Sequence, residues 1–152
     1  MGSGKVFICS SCGERFSAMT GIGRLFPKIY EETVKKMRSG KYGDECKKFF
    51  KEHPDGAVNC ENELLICEEC GVPKNEMNLS LYLPKEGVED LPKLPFGDDL
   101  HEKFTLYKKY PHTCDKCGGA CNIVAASKIK RAACPKCGGV MEEDHESVIL
   151  WD

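Results

Sequence analysis

The sequence predicts a small α+β protein stapled together by its cysteines rather than held by a large apolar core. Three observations predict it. Eleven of the 152 residues are Cys, and eight of these fall in four Cys-x-x-Cys pairs. Hydrophobic residues make up 41% of the chain with those cysteines counted, which leaves a lean apolar set for its length. Strand-like runs lead into the pairs, whereas a helix-patterned stretch separates the first pair from the second.

The pairs are Cys9-Ser-Ser-Cys12-Gly13, Cys67-Glu-Glu-Cys70-Gly71, Cys114-Asp-Lys-Cys117-Gly118 and Cys134-Pro-Lys-Cys137-Gly138. Two thiolates three residues apart can share one metal ion if the backbone turns sharply between them. Gly after the second Cys takes a positive φ without a Cβ penalty. One such knuckle is a weak signal, and four with the same following Gly are a strong one. The odd Cys count means that disulfides alone cannot use every thiol. Met1–Lys5 offer no apolar signal segment, and no apolar run reaches membrane-spanning length. A reducing, cytoplasmic compartment with no membrane association is therefore expected, and there the pairs read as ligands. All eight, Cys9, Cys12, Cys67, Cys70, Cys114, Cys117, Cys134 and Cys137, are candidate metal ligands, with two Zn2+ per chain as the expected cofactor. Thiolates also bind Fe, so iron in one or both sites is the alternative. The formal charge is −2, and two tetrathiolate zinc sites would take it to about −6.

In the second half, Phe104–Tyr110 alternates and leads into Cys114, Asn122–Ala125 reads as a strand, and Ser147–Trp151 reads as a closing strand. Sixteen residues separate Cys117 from Cys134, inside the usual window for a four-cysteine zinc site. This half resembles the zinc-ribbon family, and Cys134-Pro-Lys-Cys137-Gly138 is similar to a rubredoxin-type knuckle. In the first half, Lys5–Ile8 and Leu64–Ile66 enter their knuckles as strands, and residues 77–83 alternate as a half-buried strand. This half resembles a zinc ribbon too, but 54 residues separate Cys12 from Cys67. A structureless loop that long is unusual, so the insert should be folded. Pro27–Arg38 reads as one helix, with Pro at its start and Ser39-Gly40 at its end, and Asp44–Glu52 as a second.

The expected organisation is thus a zinc-ribbon-like domain over residues 1–84 with a two-helix insert at about 20–56. A linker or arm follows over 85–100, and a C-terminal ribbon over 101–152. Sequential pairing, first knuckle with second and third with fourth, keeps each site inside its own half. Crossed pairing or one binuclear cluster is the alternative. Cys46, Cys60 and Cys121 read as packed thiols, although Cys121 lies close enough to Cys117 to compete as a ligand. His112, two residues before Cys114, reads as a surface His, or as a donor to a site sulfur. Thr20-Gly-Ile-Gly23 lacks the rest of a phosphate loop and reads as a turn.

Charge is uneven. Residues 24–51 hold nine basic and four acidic residues, and residues 103–136 hold eight basic residues and only Asp115 as an acid. Lys near thiolates offsets their charge. Lys108, Lys109, Lys128, Lys130 and Arg131, with Phe104, Tyr107 and Tyr110 nearby, could also meet single-stranded nucleic acid. Four Cys ligands close the coordination sphere of zinc and leave no place for a reacting water. The expected function is accordingly non-enzymatic: a protein-interaction or adaptor module with an unidentified protein partner. A nucleic-acid-binding ribbon and a rubredoxin-like electron carrier are the alternatives.

Overall fold

The computed structural model describes residues 2–147 and 149. In chain order the elements are β1 (Ser3–Cys9), β2 (Arg15–Thr20), α1 (Phe26–Arg38), α2 (Asp44–Glu52), β3 (Ala57–Val58), β4 (Asn62–Cys67) and β5 (Pro73–Met77). Then come β6 (Leu81–Pro84), α3 (Asp98–Lys103), β7 (Phe104–Lys108), β8 (His112–Thr113), β9 (Ala120–Val124), a 3-10 helix (Ala126–Arg131) and β10 (Met141–Glu143). No described helix is long and apolar enough to cross a membrane.

The chain divides into two units, and neither is contiguous. One holds residues 1–23, 62–77 and 111–152, and the other holds 24–61 and 78–110. The expected boundary at 85–100 does not coincide with this division. Residues of that stretch belong to the second unit and run into α3. The expected insert is larger than 20–56, because its sheet partners return later in the chain.

Among the described residues, the regular elements of the first unit are all strands apart from the 3-10 helix. Its two antiparallel sheets run β10-β1-β2 and β5-β4-β9-β8. The sheets are linked by a bridge between Gly21 and Asn62, whose N–H groups each donate to the other's carbonyl at 2.8–2.9 Å. Phe7, Leu64, Ile66, Ile129, Ala132 and Met141 bury together with Cys9 and Cys134. Leu65 packs instead with Cys67, Cys114 and Cys121. Strand β4 therefore sends alternate side chains to two clusters, as a period-2 element must. Its run Leu64-Leu-Ile66 is buried on both faces.

The second unit is α+β. Helix α1 buries Phe26, Tyr30, Thr33 and Met37, one stripe at i, i+4, i+7 and i+11. Pro27 pre-sets its first turn, and Lys35, Lys36 and Arg38 sit at the negative end of its dipole. Gly40, at φ 89°, ends it. Helix α2 begins on Asp44 and Glu45 and buries Cys46, Phe49 and Phe50. Both helices fall where the sequence places them. A three-stranded antiparallel sheet, β3-β6-β7, completes this unit, with Tyr82, Leu100 and Phe104 buried together.

Two strand expectations are corrected. The alternating run 77–83 is not one strand. Leu79 adopts φ 61° and breaks it between β5 and β6. Leu79 N–H donates to Asn59 O at 2.7 Å, and Ser80 N–H donates to the Asn78 side chain at 3.1 Å. Hydrophobic alternation cannot reveal such a turn, because Leu79 is buried whether strand or not. The strand Phe104–Lys108 leads not into a separate ribbon but onto β6 of the second unit. The expected closing strand 147–151 lies mostly outside the described residues, although Ile149 bridges Gly4.

Leu64→Ala in the metal-loaded chain should lower unfolding stability by about 2–5 kcal/mol, since Leu64 is fully buried among Cys9 and Cys134. Urea denaturation checks this. A loss under about 1 kcal/mol would contradict the shared core described for this unit.

Candidate metal centre

All four knuckles are built alike. The glycine after each pair donates its N–H to the carbonyl of the first Cys: Gly13 to Cys9, Gly71 to Cys67, Gly118 to Cys114 and Gly138 to Cys134, at 2.8–3.0 Å. The first Cys donates back to the residue beyond that glycine, at 2.8–3.1 Å. The four glycines have φ of 74–78°, the left-handed conformation that the sequence predicts for them. Each knuckle is thus the closed end of a hairpin.

The eight cysteines form two clusters of four, but not in the expected pairs. Cys9 and Cys12 meet Cys134 and Cys137, and Cys67 and Cys70 meet Cys114 and Cys117. The first knuckle joins the last, and the second joins the third. Sequential pairing is therefore corrected, and two independent ribbons in the two halves are not what the chain builds. The physical reason is strand pairing. Strand β1 is hydrogen-bonded to β10, with Cys9 opposite Met141, and β4 to β9, with Cys67 opposite Cys121. Both clusters consequently lie within the first unit.

In the outer cluster, Cys9 Sγ lies 3.4 Å from Cys137 Sγ, and Cys12 Sγ lies 3.6 Å from Cys134 Sγ. In the inner one, Cys67–Cys117 is 3.4 Å and Cys70–Cys114 is 3.6 Å. Four sulfurs at about 2.3 Å from a tetrahedral ion would stand about 3.8 Å apart. The residues fit such an ion, with slight expansion. Burial is shared nearly alike: Cys9, Cys134, Cys67 and Cys114 are buried, Cys12, Cys137 and Cys117 are exposed, and Cys70 is half-buried.

The sulfurs receive backbone N–H groups. Ser11, Lys116 and Lys136 donate to the first Cys of their knuckles at 3.4 Å, and Gly119 and Gly139 to the second at 3.4 Å. Such donors favour the thiolate. The backbone N–H of Cys12, aided by that of Ser11, lowers the Cys9 thiol to about 6. Those of Cys70 and Glu69 do the same for Cys67, also to about 6. Within each cluster a second sulfur moves the other way. Gly119 N–H pulls Cys117 down, but the sulfurs of Cys67 and Cys70 hold it up at about 12. Glu14 N–H pulls Cys12 down, but partial desolvation within the cluster and the sulfurs of Cys137, Cys134 and Cys9 hold it at about 12 although the residue is exposed. Four thiolates so close need a cation before all can ionise.

The clusters share further detail. Ser10 N–H donates to Val140 O at 3.0 Å in one, and Glu68 N–H to Ala120 O at 2.8 Å in the other. Gly139 and Gly119 hold equivalent places. A Cβ on Gly139 would stand 2.9 Å from Cys9 Sγ, and one on Gly119 would stand 3.2 Å from Cys67 Sγ and 2.5 Å from the Glu69 side chain. Only glycine lets the partner knuckle approach this closely. The sequence carried this signal in Cys117-Gly-Gly119 and Cys137-Gly-Gly139, against the single glycines at Cys12 and Cys70. Sequential pairing would set both double-glycine knuckles in one site. The structure puts one in each.

The remaining thiols are buried. Cys46, Cys60 and Cys121 are 5%, 2% and 8% exposed, and burial raises all three, Cys60 to about 12 and Cys121 to about 11. Cys121 holds the place that Met141 holds in the other cluster, which favours the packed-thiol reading over a competing ligand. His112 is not a surface residue. It is buried, and its Nδ1 lies 3.0 Å from Glu76 Oε2. Lys74 bonds to Glu76, Thr113 O and Asp115 at 2.7–3.2 Å. Sequence reading missed this network because Glu76 and His112 are far apart in the chain. The five candidate nucleic-acid residues are divided between the two units. Lys128, Lys130 and Arg131 lie exposed on the 3-10 helix of the first unit, and Lys108 and Lys109 belong to the second. Lys108 is engaged by Glu45.

Compared with protein-family models, curated proteins and solved structures, the chain matches none.

Cys9→Ser in the metal-loaded chain should expose Cys12, Cys134 and Cys137 to alkylation while Cys67, Cys70, Cys114 and Cys117 stay protected. Mass-spectrometric mapping of the modified thiols reads this directly. Labelling of Cys67 and Cys70 instead of Cys134 and Cys137 would restore sequential pairing. Gly139→Ala, which presses on Cys9, should weaken outer-site metal retention and cost about 1–3 kcal/mol. Chelator competition and thermal unfolding measure the two effects.

The pH dependence has a definite sign. Cys9 and Cys67, lowered to about 6, are thiolates above that pH and take up protons below it. Cys12 and Cys117, held near 12, must release protons to bind an ion at neutral pH. Affinity therefore falls as pH falls, more steeply below about 6. Dye competition between about pH 8 and 5 measures it. Affinity flat across that range would show that the thiols are not the ligands.

Proposed function

We propose that this chain is a non-enzymatic protein holding two structural Zn2+ ions, one in each four-cysteine cluster, and that it serves as a protein-interaction module. The observation that carries this reading is the closure of both clusters. Cys9, Cys12, Cys134 and Cys137 would hold one ion, and Cys67, Cys70, Cys114 and Cys117 the other, with four sulfurs each and N–H donors behind them. A zinc ion so enclosed staples hairpins together and leaves no position for a reacting water. Function then lies on the surface that the staple presents. In the first unit that surface includes Ile123 and Val140, which are 44% and 49% exposed.

Native mass spectrometry with metal analysis tests the reading. The expected result is two zinc ions per chain and a colourless protein. A visible colour bleached by dithionite would favour the iron-containing, rubredoxin-like alternative instead.

A second reading, contact with single-stranded nucleic acid, is supported by Lys128, Lys130 and Arg131. They are exposed on the 3-10 helix and form no ion pair among the described residues. Oligonucleotide binding measured by anisotropy should then weaken steeply with salt and drop on replacing the three with Ala. Binding indifferent to both removes this reading.

A further inference from the structure

The second unit contains a cleft that the metal clusters do not explain. Helix α1 forms one wall with Tyr30, Val34 and Arg38. The arm of residues 91–95 faces it and contributes Lys93. Two lobes of about 300 and 430 Å³ share these four residues, which puts each within the usual size of a small-molecule site. The inner lobe reaches Phe50 and Asp55, and the outer one reaches Lys35, Glu31 and Leu94.

Charge and geometry specify what would enter. Three cations, Lys35, Arg38 and Lys93, face two carboxylates, Glu31 and Asp55, an excess of one positive charge. None of the three cations forms an ion pair among the described residues. The Arg38 guanidinium stands over the Phe50 ring, 5.5 Å from its centroid, within range of a cation–π contact. The Tyr30 phenol oxygen accepts from the Val58 backbone N–H, and the phenol stays neutral because burial raises it to about 12. The surrounding walls are aromatic, Val, Leu and Pro. Beside two carboxylates, one surplus positive charge suits a monoanion better than a phosphate dianion. A guanidinium fork and a carboxylate are bidentate partners.

We propose that this cleft binds a small monocarboxylate with a ring or branched apolar body. Its carboxylate lies between Arg38 and Lys93, and its body lies along Tyr30 and Val34.

The test uses the full chain with both metal sites loaded, observed by ¹H–¹⁵N correlation spectra. The probes are phenylacetate, indole-3-acetate and isovalerate, the corresponding neutral amides, and phenyl phosphate. At least one carboxylate should shift the amide signals of Val34, Arg38 and Lys93 saturably, and its amide should bind about tenfold or more weakly. Arg38→Gln and, separately, Lys93→Gln should weaken the carboxylate by a similar factor while leaving the remaining spectrum folded. Lys93 lies on the arm, outside any helix, so its variant tests the site even if Arg38→Gln disturbs α1. The proposal is overturned if no carboxylate shifts these signals by about 10 mM, if amides bind as tightly, or if phenyl phosphate binds more tightly. Unchanged affinity in both variants overturns it as well. None of these outcomes depends on how many metal ions the first unit holds.

Discussion

Four sulfurs held 3.4–3.6 Å apart in pairs impose the constraint on which the first unit rests. Left as thiols they are small apolar groups, and as thiolates they repel one another strongly. Backbone N–H groups prepare a sulfur of each cluster for ionisation, and the neighbouring sulfurs oppose ionisation of another. That conflict is resolved when a cation takes the centre. A chain with so lean an apolar set thereby gains a source of stability that does not depend on area buried.

The same device is used twice and in the same way. In each cluster a single-glycine knuckle meets a double-glycine knuckle, the strands leading from them pair, and the second glycine gives way to the partner's sulfur. The two are nested along the chain, so β4 supplies Cys67 to the inner cluster while Leu64 and Ile66 pack with Cys9 and Cys134 of the outer one. Ala133 N–H also donates to Gly71 O at 2.7 Å, tying a knuckle of one cluster to the approach to a knuckle of the other. The two sites are therefore parts of one packed unit rather than separate modules. Loss of either ion would be felt through a shared core.

The second unit follows different physics. Its helices carry ordinary amphipathic stripes, and its aromatic residues pack face to edge, Phe49 on Phe50 and Phe26 on Phe96. No four-cysteine cluster lies in it among the described residues. The basic excess of residues 24–51, to which the sequence alone assigns no role, acquires a specific setting here. Arg38 and Lys35 flank a cleft with apolar walls. The cysteine clusters that could hold metal lie in one unit, and concave, charged surface lies in the other.

What the sequence by itself determined is local. The eight candidate ligands, the positive-φ glycines, the two helices and the strands beside each knuckle follow from spacing and periodicity, because each depends on residues a few positions apart. Which knuckle meets which was decided only by tertiary structure, and nearness in sequence is a poor guide to it. Cys12 and Cys67 are 55 residues apart, whereas Cys12 and Cys134 are 122 apart. The other site's loop grows as well, from 17 residues (Cys117 to Cys134) to 44 (Cys70 to Cys114), and the two changes together cost only about 1.5 kcal/mol in loop closure. Burying one Leu or Phe gains about 1.5–3 kcal/mol. The packing of Phe7, Leu64 and Met141 therefore outweighs the shorter loops. The same long-range pairing scattered each unit over several stretches of chain, set Leu79 in a turn that alternation hides, and brought His112 to Glu76.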